Sequence, residues 1–265
     1  MIFLRRLPEW TLLALIVVGF AAPWYLGAVP PQTSPTLAAL PSFEHWLGTD
    51  DVGHDLAAML ACGARTAFGT ALTGAALAMV IGVPLGAIAG FCGGWFDVLL
   101  LRVIEVFLCF PRLFLVLAVG SFVGPSSAAI VLVIGSLGWV AFARITRGEM
   151  LSIREREYVL AARGLGVSVA GTLIRHALPS ARGPILVTAA FLCADAVVVE
   201  STIAFLGLGP GLQVPSWGSL VHQGRLHAAD GKWHLWLFPT LVLIAAVWSL
   251  HVLADRVAGT DRARS

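Results

Sequence analysis

Charged side chains are scarce in this chain. Only 12% of its 265 residues are Asp, Glu, Lys or Arg, whereas 58% are hydrophobic. A soluble domain carries about 25% charged residues, which it needs to cover a water-facing surface. Half that share over this length excludes a soluble globular domain and indicates an integral membrane protein. The net charge of only +2 also argues against a nucleic-acid-binding surface.

Lysine is nearly missing, and its absence excludes one kind of chemistry. The single lysine is Lys232, which Trp233 follows in the sequence ADGKW. A nucleotide-binding P-loop needs GxxxxGK followed by Ser or Thr, so the chain has no such loop. The HExxH pattern of a zinc enzyme is also missing. The chain therefore has no nucleotide-hydrolysing site of this kind.

Cysteine pairs and compact metal-ligand patterns are missing too. The cysteines show no CxxC or Cys/His spacing, so we predict neither a disulfide framework nor a zinc finger. They are Cys62, Cys92, Cys109 and Cys193. A metal site near the end of the chain is conceivable, but the spacing there fits no tight ligand set. We interpret its members as solvated loop residues and predict no metal site: His222, His227, Asp230 and His234.

Long apolar runs are what the sequence has in abundance. A membrane-crossing helix needs about 20 mostly apolar residues. The third run is the least clearly bounded, because the charged residues Asp97, Arg102 and Glu105 come shortly before it. We expect those three on an interfacial helix that Pro111 bends into the membrane. The six candidate spans are residues 10–29, 67–91, 106–123, 127–146, 184–206 and 233–254.

The positions of the basic residues predict the orientation. Fourteen of the 17 Lys and Arg residues fall on the side of the N-terminus, and the other side holds Arg65, Arg225 and Lys232. Because basic residues accumulate in cytoplasmic loops, we predict a multi-pass plasma-membrane (inner-membrane) protein with both termini in the cytoplasm. We divide the chain into residues 1–65, a first span with an external segment, and residues 66–265, a five-helix core.

The one long internal loop, residues 147–182, is too polar to cross a bilayer. Its helix-compatible residues are interrupted by Gly164, Gly166 and Gly171. Glycine disfavours a continuous helix by about 1 kcal/mol relative to Ala and allows backbone turns. The loop therefore predicts two or three short helices joined by sharp bends, lying flat under the membrane. An amphipathic loop that rests on lipid headgroups is an open alternative.

The spacing within this loop resembles a known motif. Ala161-Ala162, three residues, Gly166, nine residues and then the run 176–179 (HALP) is similar to the EAA loop of ABC importer permeases. Leu160 stands where that motif has its Glu, and His176 replaces the usual Ile.

Further motifs resemble the dipeptide/oligopeptide branch of that family, in the same order from about His45 to the C-terminus. In this branch the chain looks like the second, shorter permease of a pair. The motifs are HWLGTD at 45–50, GHD at 53–55, GAR at 63–65, AGF at 89–91, GGW at 93–95 with Asp97 and Arg102, and Glu200 followed by FLGLG at 205–209 and PSWG at 215–218.

The resemblance implies an all-α integral membrane fold, with the six helices of a type I ABC importer permease and cytoplasmic coupling helices. It implies a heterodimer with a second homologous permease, two ATP-binding subunits at the cytoplasmic face and an extracytoplasmic substrate-binding protein. ATP and Mg²⁺ would be bound by the ATPase subunits, with no cofactor in this chain and no covalent chemistry. The resemblance places ATPase coupling on Ala161, Ala162, Arg163, Gly164 and Gly166, and docking of the binding protein on Gly48, Thr49, Asp50 and Asp55.

Two acids in the fifth span are candidates for the translocation pathway. An acidic side chain near the bilayer centre costs about 2.5–3.5 kcal/mol, so Asp195 and Glu200 should face protein or water. Five residues apart, they point about 140° away from each other on a helix and do not form a paired-carboxylate site. For Glu200 a hydrogen bond to a neighbouring loop is an equal alternative.

A stripe of glycines runs along the second span at Gly82, Gly86 and Gly90. Glycines four residues apart let another helix approach the backbone closely. We favour static packing within one subunit over a moving interface.

Taken alone, the sequence favours the permease of an ATP-driven importer of dipeptides or oligopeptides. A permease for nickel or another small solute remains open. A self-sufficient secondary transporter is the alternative of a different class, and it would require inverted repeats and buried ion-binding residues.

Overall fold

The computed structural model describes residues 10–17, 19, 35–209 and 214–262. Within these ranges every regular element is a helix, and extended pairing is limited to one isolated bridge between Thr49 and Asp55. The prediction of an all-α fold is confirmed for this part of the chain. Most of the predicted first span and the end of the run FLGLGPGL lie outside the described residues.

The helices follow one another with short connections. The first, α1, is residues 10–17. The others are α2 (Leu56–Cys92), α3 (Gly94–Cys109), α4 (Arg112–Val123), α5 (Ser127–Ile153), α6 (Glu157–Gly164), α7 (Val169–Thr172), a π-helical turn (Leu173–Ala177), α8 (Leu178–Ser180), α9 (Arg182–Phe205), α10 (Trp217–Leu226) and α11 (His234–Arg262).

Four of these helices are long and apolar enough to cross a membrane on their own, namely α2, α5, α9 and α11. Each contains most or all of a predicted span, but α2 begins eleven residues earlier than predicted, at Leu56. The pair α3 and α4 passes the same test together, with a bend of 92° between them. The bend falls at Phe110 and Pro111, where the sequence predicted it.

Several helices begin at a residue that caps them. Asp55 accepts a hydrogen bond from the backbone N–H of Ala58 at the start of α2, and Ser126 does the same for Ala129 in α5. Ser216 and Ser219 form a capping box at the start of α10. Such side chains satisfy N–H groups that have no partner inside the helix.

The most extensive helix–helix contact joins α2 to α5, and glycine makes it possible. A Cβ atom at Gly82 would collide with the carbonyl oxygen of Trp139, and one at Gly86 with that of Ala143. At Gly90 it would collide with the carbonyl oxygen of Arg147. The two backbones are therefore in direct contact along this stripe. The favoured interpretation, packing within one subunit, is confirmed by these contacts.

The two ends of the bundle are built differently. The α10 end holds residues 35–55, the start of α2 and α10, where the indole N–H of Trp217 donates to the carbonyl of Leu60 at 2.9 Å. The α6 end holds the C-terminal ends of α2 and α5 together with α6. A buried cluster there joins Phe91, Met150 and Val159. The first helix packs on the bundle from the side, where the hydroxyls of Thr11 and Ser249 lie 2.6 Å apart.

We expect that Gly86→Ala destabilises the bundle, by about 1–3 kcal/mol, because the added methyl group meets backbone that cannot move aside. The measurement is the apparent Tm of the purified chain in detergent micelles.

Gly69→Ala is the matched control. It lies on the same helix, has open space around the new methyl group and gains helix propensity. Its Tm should be equal to or higher than that of the parent chain. An equal Tm for the two variants would contradict backbone contact between α2 and α5.

Candidate functional site

The internal loop folds into two short helices with a sharp turn at Gly166. The N–H of Gly166 donates to the carbonyl of Arg163, and that of Val167 to the carbonyl of Ala162. With Gly166 at φ +83°, this is the Schellman arrangement that ends many helices. Ser168 then caps α7. The predicted short helices are confirmed, but Gly164 and Gly171 lie within helices, so Gly166 alone makes the turn.

One face of α6 seats the loop on the bundle. Val159 is fully buried and Ala162 nearly so, and Val159 packs in one cluster with Phe91 of α2 and Met150 of α5. The guanidinium of Arg163 lies 4.7 Å from the centre of the Phe91 ring, a cation–π contact with the last turn of α2. The hydroxyl of Tyr158 donates to that of Ser180 at 3.0 Å, which joins the start of α6 to α8. This face ties the loop to the bundle.

The opposite face of α6 is open. Leu165 is 86% exposed and Leu160 is more than half exposed, and Ala161 and Gly164 lie beside them. Of the five predicted coupling residues, Ala161, Gly164 and Gly166 thus belong to the open face. The side chain of Ala162 turns inward, and that of Arg163 covers Phe91. We call Leu160, Ala161, Gly164 and Leu165 the α6 face.

Sequence reasoning missed Leu165 as a member of this face. In the sequence it is one of several apolar residues that give the short helices of this loop an apolar face. The signal that would have found it is its position: the residue before a glycine in the left-handed conformation stands at the outside of the turn.

Asp195 lies on α9 and pairs with Arg112, the first residue of α4, at 2.9 Å. Both side chains are about half exposed, and they line a cavity of about 500 Å³ between α4, α5 and α9. Arg144 of α5 lines the same cavity. The structure thus adds two arginines to a site for which the sequence suggested only an acid.

Glu200, the other predicted pathway acid, is fully buried. It accepts a hydrogen bond from the neighbouring Ser201 at 3.1 Å. Gly218 of α10 packs so closely on Ser201 that a Cβ atom there would collide with its carbonyl oxygen. Glu200 and Asp195 do not share a surface in this structure, as their spacing predicted: Asp195 lines the cavity beside Arg112, and Glu200 is buried beside α10.

The predicted outer docking residues hold a compact segment together. Thr49 is fully buried, and its hydroxyl donates to the carbonyl of Thr36 and accepts from the N–H of Ala39. Asp50 accepts hydrogen bonds from the N–H groups of Val52 and His54.

Two more of these residues complete the segment. Gly48 has φ +86°, and a Cβ atom there would lie 2.8 Å from the buried ring of His234. Asp55 caps α2, and its carboxylate lies 2.9 Å from Nδ1 of His45. The four predicted residues therefore shape this segment, whereas Phe43 and Trp46 are its exposed aromatic side chains.

The interpretation of the histidines as solvated was wrong for two of them. His234 is fully buried under residues 35–55, and Nδ1 of His222 lies 2.6 Å from the carbonyl oxygen of Phe205. His227 lies 3.6 Å from both Asp51 and Asp230. In the described ranges no three His, Cys, Asp or Glu side chains come close enough to hold a metal ion.

One ion pair at the α6 end was not foreseen. Both carboxylate oxygens of Asp97 accept hydrogen bonds from the guanidinium of Arg147. The pair fixes the start of α3 to the lower part of α5. Arg147 belongs to α5, which extends seven residues beyond the predicted end of the fourth span.

Known proteins resemble this chain over most of its length. Residues 82–260 match the family described as "Binding-protein-dependent transport system inner membrane component". A putative peptide transport system permease protein of Brucella suis biovar 1 (strain 1330) is 35% identical over 248 residues, which are 92% of this chain and 82% of that protein. The dipeptide transport system permease protein DppC of Alkalihalophilus pseudofirmus is 30% identical over 243 residues, with 91% and 80% covered.

A solved structure shares the fold. The inward-facing MetNI methionine ABC transporter superposes with a TM-score of 0.62 at 16% sequence identity. The match covers 77% of this chain and 96% of that one. At such low identity the likeness shows the fold alone, which is that of a type I ABC importer permease.

We predict that Asp50→Ala loosens residues 35–55, because the backbone N–H groups of Val52 and His54 lose a buried acceptor. An unsatisfied buried donor costs about 1–3 kcal/mol. The measurement is the rate of proteolytic cleavage within residues 35–55 of the chain in detergent, which should rise.

Asp51→Ala is the control, since Asp51 is more exposed and its partner His227 is 3.6 Å away. An exposed pair of this kind contributes about 0–1 kcal/mol. If the two variants are cleaved at the same rate, Asp50 does not organise the segment.

Proposed function

Because the chain belongs to the family of binding-protein-dependent transport system inner membrane components, we propose that it is the permease subunit of an ATP-driven importer of peptides and forms half of its translocation pathway. It is a multi-pass inner-membrane protein and a transport subunit, not an enzyme. It works with an ATPase and a substrate-binding protein. A self-sufficient secondary transporter is excluded by this membership.

The observation that carries the substrate class is the similarity to peptide permeases. The Brucella relative is named for peptides and is 35% identical over 92% of this chain. DppC is named for dipeptides and is 30% identical over 91%. These names support peptides over nickel or another small solute.

The proposed assembly has a second, related permease beside this chain, two ATP-binding subunits at the cytoplasmic face and a binding protein outside. ATP and Mg²⁺ are bound by the ATPase subunits. Both termini lie in the cytoplasm, which the distribution of arginines supports. The α6 end is then cytoplasmic and the α10 end is external.

The α6 face is the proposed contact with the ATPase. Leu165 and Leu160 are large exposed apolar side chains on a short helix whose other side is firmly seated on α2 and α5. Exposed apolar groups on an otherwise packed element are typical of a protein contact. Movement of the ATPase subunits would be passed through Val159 and Ala162 to α2 and α5, whose backbones are in contact.

At the external face, residues 35–55 offer the proposed seat of the binding protein. Gly48, Thr49, Asp50 and Asp55 hold its shape. The exposed aromatic side chains of Phe43 and Trp46 provide contact area, and aromatic residues are enriched in protein interfaces.

The substrate is tested by uptake into liposomes that contain the whole transporter and enclose ATP. We expect ATP-dependent uptake of a radiolabelled dipeptide when the binding protein is added outside, and no uptake with ATPase subunits that cannot hydrolyse ATP. Uptake of Ni²⁺ without uptake of any peptide would reject peptides as the substrate.

Coupling is tested with two variants of the loop. Leu165→Glu places a charge in the proposed contact, and Gly166→Val forces a β-branched residue into a left-handed turn that costs about 1–2 kcal/mol. Both should reduce ATPase binding, measured by co-purification, and peptide uptake.

The controls separate docking from folding. Leu226→Glu changes an equally apolar, exposed residue at the α10 end and should leave co-purification unchanged. Gly166→Asn should be milder than Gly166→Val, because Asn tolerates this conformation. Normal ATPase binding by Leu165→Glu would show that the α6 face is not the contact.

A further inference from the structure

The cavity at Asp195 combines charges of both signs with an apolar wall. It lies where the start of α4 meets α5 and α9 and has a volume of about 500 Å³. Ligand pockets for small molecules have volumes of about 300–1,000 Å³. Its charged lining residues are Arg112, Arg144 and Asp195, and the remainder is mainly Leu, Phe, Val, Ala, Gly and Pro.

Two of these charges lie well inside the helices that carry them. Asp195 is about 15 Å along α9 from the α10 end, and Arg112 is about 17 Å along α4 from the same side, at a rise of about 1.5 Å per residue. With the α10 ends of α4 and α9 at the outer membrane surface, as the proposed orientation has them, both residues are near the middle of a hydrocarbon core about 30 Å thick, so Arg112 does not belong with the basic residues of the cytoplasmic side. Charged side chains at this depth face water or protein and are typical of a substrate or ion pathway.

The charges in the cavity are not balanced. Asp195 pairs with Arg112, whereas Arg144 makes no ion pair within the described ranges. The cavity therefore has one arginine whose positive charge is not balanced by a carboxylate of the cavity lining. The pair itself is about half exposed on both sides, so each of its two groups has room for a further partner in the cavity.

The start of α4 adds further hydrogen-bond donors. Pro111 precedes the helix and provides no side-chain cap, and its carbonyl accepts hydrogen bonds from the N–H groups of Phe114 and Leu115. The N–H of Arg112, at the cavity wall, has no partner inside the helix. In broken membrane helices such N-termini face anionic groups of substrates.

We propose that this cavity binds the two charged ends of a zwitterionic peptide on its way through the membrane. Arg144, with the start of α4, binds the terminal carboxylate, for which the planar guanidinium group is well suited. Asp195 binds the terminal ammonium group after releasing Arg112. The proposal rests on the proposed function as a peptide importer and names the substrate groups that the membrane subunit itself recognises.

The charge pattern also distinguishes substrates. A bare divalent cation would meet two arginines and one carboxylate, an arrangement that repels it. A zwitterion finds a partner for each of its charges. The cavity therefore favours a peptide with free termini over a metal ion.

The experiment uses the whole transporter in liposomes and measures the number of dipeptides imported per ATP hydrolysed. Two variants are single substitutions, Arg144→Gln and Asp195→Asn. The third is a double variant that exchanges the two residues of the ion pair, Arg112→Asp together with Asp195→Arg. Loss of one charge-assisted hydrogen bond predicts a fall of about tenfold in this ratio for each single variant. Arg102→Gln is the control, because Arg102 is also half of an exposed pair but lies outside the cavity.

Arg144→Gln keeps the test independent of folding, because this exposed side chain has no ion-pair partner to lose. The exchanged pair distinguishes substrate binding from a purely structural role. It restores the ion pair but reverses its charges in the cavity, so we expect the ratio to stay low.

A normal ratio in both single variants, or full recovery in the exchanged pair, would overturn the proposal while leaving the peptide importer intact. If instead the parent transporter imports no peptide at all, the proposed function itself fails. The two failures are therefore distinguishable in the same assay.

Discussion

The backbones of α2 and α5 are in contact along a line of three glycines, and α3, α4 and α9 pack against one or both of these helices. A methyl group at Gly82, Gly86 or Gly90 would meet a carbonyl oxygen of α5 rather than a side chain that can turn away. Such contact leaves little freedom for sliding, because packed backbones interlock over several turns. The α6 end, the cavity and the segment at residues 35–55 are all attached to one or both of these helices. The positions of the other helices are therefore best described relative to α2 and α5, whose backbones meet at these three glycines.

The internal loop fits this view. Its inner face is anchored on the last turn of α2 and the end of α5 through Val159 and through Arg163 over Phe91, while its outer face is apolar and open. A partner that holds the α6 face holds the rigid pair as well. By contrast, α4 contacts its neighbours over a small area, and Val116 is its buried apolar residue. The ion pair between Arg112 and Asp195 is one of the contacts that connect α4 to α9. The less constrained side of the bundle is thus also the side that holds the charged cavity.

Much of this arrangement follows from the sequence. Apolar runs located the long helices, Pro111 marked the bend and the glycine spacing marked the helix contact, because each depends on neighbours within one helix or turn. Other features depend on residues that are distant in the chain. Asp97 meets Arg147, and Arg112 meets Asp195, only once the helices have packed. For the same reason Gly48, Thr49 and Asp50 were taken for a docking surface, although Thr49 is buried and Asp50 nearly so. A motif indicates which residues matter, but not whether they contact a partner or support those that do.

The length of α2 has one more consequence. Its 37 residues extend over about 55 Å, well beyond a hydrocarbon core of about 30 Å. Asp55 caps one tip below the external segment, and Phe91 supports the loop at the other tip. On the proposed orientation, the proposed seat of the binding protein and the proposed contact with the ATPase lie at opposite tips of this one helix. The two compartments are thus linked by a single continuous helix that crosses the whole membrane, with Pro84 inside it.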